Sequence, residues 1–219
     1  MVNRHLTPDG QAAERRMLMS YAAADRRDGL AALLALDDAL GSILRTTRDP
    51  MVGQLRLTWW HDAIVALDQR PAPAEPVLQA LARHVVPHVA STRIASLVEG
   101  WEELLDPEPM TDARLSAYAA GRGGRLFAAA GALLGAAPGD PLDAAGQGWA
   151  LTDLARHVDD RATGEKAMRL AVPALIDATR TRWSRPARAL GAMTHLARMP
   201  DDAGAGRVAR ALWHRLTGR

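Results

Sequence analysis

Three sets of side chains in this 219-residue sequence stand at spacings that suit chemistry. Asp153 and Asp160 are seven apart, which on a helix puts both carboxylates on one face, two turns apart, as a single weak cation site would need. The plainer reading pairs these acids with Arg156 and Arg161 in an ion network. Arg56 and Trp60 are one turn apart, as are Thr58 and Asp62. An arginine beside a half-buried face either pairs a carboxylate or grips an anion through its planar donor fork. Trp59 and Trp60 are two of only six tryptophans, and their plainer role is to anchor a core. The third set is Gly121-Arg122-Gly123-Gly124. Each interior glycine costs a helix about 1 kcal/mol relative to alanine, so three so close mark a kink or a place where another backbone or a ligand approaches.

Other chemistries are excluded or weak. The sequence has no cysteine, which rules out disulfides, thiolate zinc sites and a cysteine nucleophile. The glycine cluster follows no strand, so it is not a dinucleotide fingerprint, and no Gly-x-Ser-x-Gly, P-loop or His-Glu-x-x-His motif occurs. His84 and His88 are one turn apart but lack a third ligand, and Pro87 disturbs the turn; they read as helix-surface residues.

The elements that must position these residues are helices. Thr7-Pro8-Asp9 reads as a cap and first-turn proline for a helix to about Asp25. Asp28 reads as the cap of 29–46, and Asp49-Pro50 opens 51–67. A linker at 71–76 leads to 77–90, bent or broken at Pro87. Ser91 or Thr92 reads as the cap of a helix to Leu105, and Thr111 as the cap of 112–135, which holds the glycine cluster. Helices at 142–158, 173–183, 186–198 and about 202–217 follow. Strand signals are nearly absent: β-branched residues are sparse and no period-two run persists. The pattern predicts an all-α bundle of roughly eight to ten helices in one domain spanning 1–219.

The 27 basic residues nearly balance 25 acids. A net charge of +2 gives no bulk electrostatic case for nucleic acid. The 12 residues at 126–137 are the longest weakly polar stretch and fall short of the ~20 that a spanning helix needs. No apolar core follows the early charge, so the start is not a signal peptide. The chain reads as cytoplasmic, with peripheral contact to the inner membrane left open. The segment 207–219 carries Arg207, Arg210, His214, Arg215 and Arg219 among Val208, Leu212, Trp213 and Leu216. It suits an acidic membrane surface or a protein partner, although packing against the bundle is the plainer role.

Four segments, in order, resemble the squalene/phytoene synthase family. Arg56-Leu57-Thr58-Trp59-Trp60-His61-Asp62 resembles its Arg-Leu-x-Trp-Trp-x-Asp helix. Residues 26–44, with Asp37-Asp38, resemble its first motif helix. Tyr118 through Phe127, followed by Leu133-Leu134-Gly135, resembles its Tyr…Gly helix. Gly148 through Asp160 resembles its second motif helix. The resemblance covers about 15–165, and 166–219 is shorter and more divergent. It implies a helical bundle of the isoprenoid (terpenoid) synthase type around a central cavity. It also implies head-to-head coupling of two farnesyl or geranylgeranyl diphosphates to squalene or phytoene, with magnesium held by Asp-x-x-x-Asp pairs on two facing helices.

The sequence departs from the family at those pairs. Aligned on its helices, the expected aspartates fall at Gly41…Arg45 and His157…Arg161. Arg156 matches a family arginine, and Asp153 stands where asparagine is typical. An arginine has no acceptor and cannot ligate a metal. Asp37, Asp38, Asp153 and Asp160 remain as weak candidates for magnesium, which is the expected cofactor only if the chain is active. The same exchanges suggest a cavity lined by arginines. The candidates for holding a diphosphate or other anionic, lipid-like ligand are Arg45, Arg56, Arg125, Arg156 and Arg161, together with Tyr118. The expectation is a degenerate member that binds such a ligand or acts like the family branch containing a mitochondrial complex I assembly factor. The alternatives are an active prenyltransferase and an unrelated helical interaction domain.

Overall fold

The computed structural model describes residues 8–106, 108–200 and 203–219, and every regular element among them is helical. Helix α1 (Pro8–Met19) ends well before Asp25, and its expected cap Thr7 lies outside the described residues. Helix α2 (Arg27–Thr46) takes Asp28 into its first turn, and the capping position falls to Arg26, whose side chain makes no cap bond. Helix α3 (Pro50–Val65) starts as its sequence predicts, with Asp49 accepting from the Met51 N–H and Pro50 in the first turn. Helix α4 (Pro76–His84) stops ahead of Pro87. One helix expected from residue 91 to Leu105 is instead two pieces, α5 (Ser91–Ala95) and α6 (Leu97–Glu102). Ser91 does not cap α5: its hydroxyl donates to the Val65 carbonyl and to Asp68, tying α5 to the end of α3.

Helix α7 (Asp112–Tyr118), capped by Thr111, runs into a π-helical turn at Ala119–Gly124 and then α8 (Arg125–Leu134), which Gly135 ends at φ 75°. Helix α9 is Leu142–His157 and α10 is Arg161–Arg180. Asp160 caps α10, accepting from the N–H and hydroxyl of Thr163. Pro173, expected to begin a helix, sits inside α10. A mid-helix proline lacks a donor and strains the preceding turn. The seam of Ala167, Ala171, Leu175 and Ala178 carries α10 through it by packing. Helices α11 (Arg188–Ala197) and α12 (Ala205–Thr217) complete the chain.

Helix α9 is the hub, packed against α8, α10, α11 and the π-helical turn, while α2 packs on α4 and α8. The glycine cluster serves the close approach of backbones. A Cβ on Gly123 would lie 1.9 Å from the Gly146 carbonyl oxygen on α9, and one on Gly121 would lie 2.6 Å from Cα of Gly100 on α6. The core between these helices is aliphatic, with Leu30, Leu33, Leu36 and Leu40 of α2 fully buried beside Phe127 and Leu126 of α8. Each such side chain contributes about 1.5–3 kcal/mol on burial. Helix α12 packs the opposite way to an ordinary amphipathic helix: Arg207, Ala211 and His214 face inward, and Val208, Leu212, Trp213 and Leu216 face out. Among the described residues no helix is long and apolar enough to cross a membrane.

Candidate functional site

Helix α2 presents Asp37, Gly41 and Arg45 at four-residue spacing, so all three lie along one face. Helix α9 presents Trp149, Asp153 and His157 in the same way. These two faces, with Trp101, Leu104, Met110, Tyr118 and Arg122, line a half-open cavity of about 640 Å³. Leu44, Leu154 and Val158 add apolar wall.

The centre of the site is Arg122, which projects from the π-helical turn. That turn is forced tight against α6 and α9 by Gly121 and Gly123, and its extra residue per turn re-aims the side chain into the gap between α2 and α9. Arg122 is 5% exposed. Its Nε donates to Asp37 Oδ1 at 2.9 Å and its Nη2 to Asp37 Oδ2 at 2.7 Å, a bidentate pair. Its Nη1 donates to Asp153 Oδ2 at 2.6 Å and to the Tyr118 hydroxyl at 2.5 Å. The guanidinium also lies 4.2 Å from the ring centre of Trp101 and 4.8 Å from that of Trp149. One cation thus joins a carboxylate on α2 to a carboxylate on α9.

The protonation states follow from that geometry. Burial pushes the Asp153 carboxyl up, but Arg122 and His157 more than reverse it and hold the group well below the usual carboxylate range. Burial pushes Asp37 up, and the Arg122 guanidinium opposes that push. The Tyr118 hydroxyl is pushed up to about 12, chiefly by burial, and stays a neutral donor-acceptor. His157 is raised by its hydrogen bond to Asp153, whose Oδ1 lies 3.3 Å from its Nδ1.

The structure brings some of the sequence-predicted residues together and not others. Arg45 and Tyr118 stand on the cavity, and Asp37 and Asp153 converge in it. Asp38 lies at the rim, paired with Arg15. Arg56 is outside, donating to the hydroxyls of Thr46 and Thr47. Arg125 donates to the Ser96 carbonyl and pairs with Glu99. Arg156 points to the other side of α9, where it donates to the carbonyls of Ala197 and Met199. Arg161 pairs with Glu165 in solvent on α10, and Asp160 is spent on the cap of that helix. The ring of arginines suggested by alignment therefore does not form around one cavity. Sequence reasoning passed over Arg122, Trp101 and Trp149. The signal for Arg122 was there: an arginine amid three glycines, one turn after Tyr118, in a segment otherwise too apolar to need it.

A model of the squalene/phytoene synthase family matches residues 10–209, past residue 165 where the motif resemblance fades. The chain belongs to the squalene/phytoene synthase family. No curated protein and no solved structure matches it. The residues present do not fit the magnesium on which the family's chemistry runs. Magnesium demands oxygen ligands in near-octahedral array. Both oxygens of Asp37 are engaged by Arg122, Asp153 shares that same cation, and Arg45 and His157 line the rest of the gap. Among the described residues no three acids or histidines stand close enough to share a metal.

Proposed function

Starting from that family membership, we propose that this chain keeps the family's cavity as a binding site and does not run the magnesium-dependent coupling of prenyl diphosphates. The observation that carries the reading is the Arg122 guanidinium held between Asp37 and Asp153. A cation fixed between the α2 and α9 carboxylates repels a second cation strongly in a poorly solvated site. It also occupies both Asp37 oxygens and one Asp153 oxygen with N–H donors. The remaining donors suit a molecule with an anionic head and an apolar body. Arg45 and the His157 ring offer charge on opposite walls, and Leu44, Leu104, Leu154 and Val158 offer apolar surface. A prenyl diphosphate has that chemistry, as do other anionic lipid-like molecules. Such a protein acts by holding its ligand, in the manner of an assembly factor, rather than by turnover.

Incubation with farnesyl or geranylgeranyl diphosphate and Mg²⁺ is expected to yield no C30 or C40 product. Calorimetric titration with a non-hydrolysable prenyl diphosphate analogue is expected to give binding that survives chelation of Mg²⁺ and weakens severalfold in Arg45→Ala. Product formation, or binding that requires Mg²⁺, overturns the reading.

A further inference from the structure

The surface formed by α12 and the segment before α11 joins an outward apolar stripe to a hollow lined by arginines. Trp213 is 57% exposed and Leu216 75% exposed, and Val208 and Leu212 continue the same outward stripe at four-residue spacing. The side of α12 that faces the bundle carries Arg207 and His214 instead. An apolar face turned to water costs free energy at about 25 cal/mol per Å² relative to burial, so its outward placement calls for an occupant.

Charge identifies that occupant. From Arg180 to Arg219 the sequence has nine arginines and only two acids, Asp201 and Asp202, which precede α12 in the chain; of the nine, Arg207 is buried and paired with Glu14. Three of these arginines, Arg182, Arg185 and Arg188, line a hollow of about 350 Å³ with Asp140 and Ser184. The hollow adjoins the apolar stripe, because Arg188 Nη1 donates to the Arg215 and Leu216 carbonyls and Arg182 Nε to the Thr217 carbonyl at the end of α12. Asp140 is already engaged, accepting from the Ser184 N–H and hydroxyl and from the Ala137 N–H. Arg188 Nε is buried without a hydrogen-bond partner, and Arg185 has no acidic partner among the described residues. The nearest acid along the chain, Asp177, pairs with Arg180.

We propose that this surface docks on an anionic phospholipid bilayer. The α12 stripe enters the boundary between headgroups and acyl chains, and a headgroup phosphate occupies the Arg182–Arg185–Arg188 hollow. A single convex helix with a large tryptophan, leucines and a cationic border has the form of an interfacial helix. A protein partner of ordinary mixed charge would meet uncompensated arginines around only four apolar side chains, which is small against the ~800 Å² per partner of a stable interface. Lipid supplies the negative charge continuously, at about fivefold in binding for each basic residue at the surface. The docking does not depend on what the cavity between α2 and α9 holds.

Vesicle co-flotation of the full chain tests it, using phosphatidylcholine vesicles with and without about one-third phosphatidylglycerol, a fraction chosen to give a strong negative surface potential. Binding is expected only to the anionic vesicles and is expected to fall at high salt. Arg185→Glu should weaken it at least fivefold, and the double variant Trp213→Gln/Leu216→Gln should weaken it tenfold or more. All three positions are solvent-facing, so both variants should unfold at the wild-type Tm, which is measured alongside. Equal binding to neutral vesicles, no vesicle binding, or variants that bind like wild type would each overturn the proposal; the second of these with a protein captured instead would assign the face to a protein partner.

Discussion

Two buried polar clusters in this bundle solve the same electrostatic problem in opposite ways. Around Arg122 the cation is met by carboxylates from two other helices, so opposite charges offset one another and each group holds the others in place. Between α11 and α12, His195 and His214 are 3% and 0% exposed, with ring centres 4.7 Å apart, and no acid among the described residues joins them. Their charged neighbours are arginines: Arg210 donates to His195 Nδ1 at 2.8 Å, and Arg198 and Arg188 add positive charge nearby. Burial first, and these cations second, push His195 down to about 3; burial chiefly, with Arg210 and Arg188 adding to it, pushes His214 down to about 4. The first cluster survives burial by compensation and the second by staying neutral. The first should therefore be sensitive to mutation and the second to acid.

The sharpest way to break the contrast is Arg122→Met, which leaves Asp37 buried and uncompensated. Removing one partner of a buried ion pair costs about 3–5 kcal/mol, a large part of the total stability of a typical domain. Chemical denaturation should show that loss, and adding Asp37→Leu should recover most of it, because the unpaired charge then disappears with its partner. A double variant no more stable than Arg122→Met alone would mean that the network contributes by something other than mutual compensation. Gly123→Ala comes next. Its methyl would sit 1.9 Å from the Gly146 carbonyl oxygen, a backbone atom that cannot swing aside. Displacing α9 from the π-helical turn is an overpacking change worth about 1–3 kcal/mol. The same shift should pull Asp153 from Arg122, and with it the low titration of Asp153 in NMR.

How much of this was readable in the sequence differs between fold and site. The all-α class and the cap at Asp49 followed from local signals, because N-cap chemistry and proline position act within a few residues. The end of α1, the split into α5 and α6, and the passage of α10 through Pro173 did not, because tertiary packing overrode the local pattern there. In the site, the motif alignment led to Gly41, Arg45 and His157, which do line the cavity. It also led to Arg161, which a break after His157 carries onto the start of α10 and into solvent. Helical spacing could not foresee that break, nor that Arg122, 85 residues from Asp37, would supply the bridging charge. The His195–His214 contact, like that pairing, joins two helices and has no signature in either one.

Acid should act directly on the histidine cluster. Both histidines titrate below their unfolded value of about 6.5, so the unfolded chain takes up protons first as pH falls. Their contribution is fully present above about 6.5 and is lost as pH falls toward 4 and then 3. Between pH 6.5 and 4.5 the Tm should fall on the order of 5 °C or more. His214→Leu should flatten that fall, and at neutral pH it should cost little, since neither ring nitrogen has a hydrogen-bond partner to lose. An unchanged acid slope in this variant would move the acid sensitivity elsewhere.

The smallest effect has the opposite sign and belongs to the cavity. His157 is raised above its unfolded value by Asp153, so whatever stability it contributes is present below about 6.5 and is lost as pH rises through its folded value. Its ring is mostly exposed, so the change in Tm above pH 7 should be barely measurable. The ring's own titration is the better readout. In NMR the His157 carbon-bound protons should titrate above about 6.5 while those of His195 and His214 stay flat over the same range. Asp153→Asn should bring the His157 midpoint back toward the unfolded value and leave the other two unmoved. If His157 kept its raised midpoint in that variant, the carboxylate that Arg122 and His157 share would not be the link between the cavity floor and its mouth.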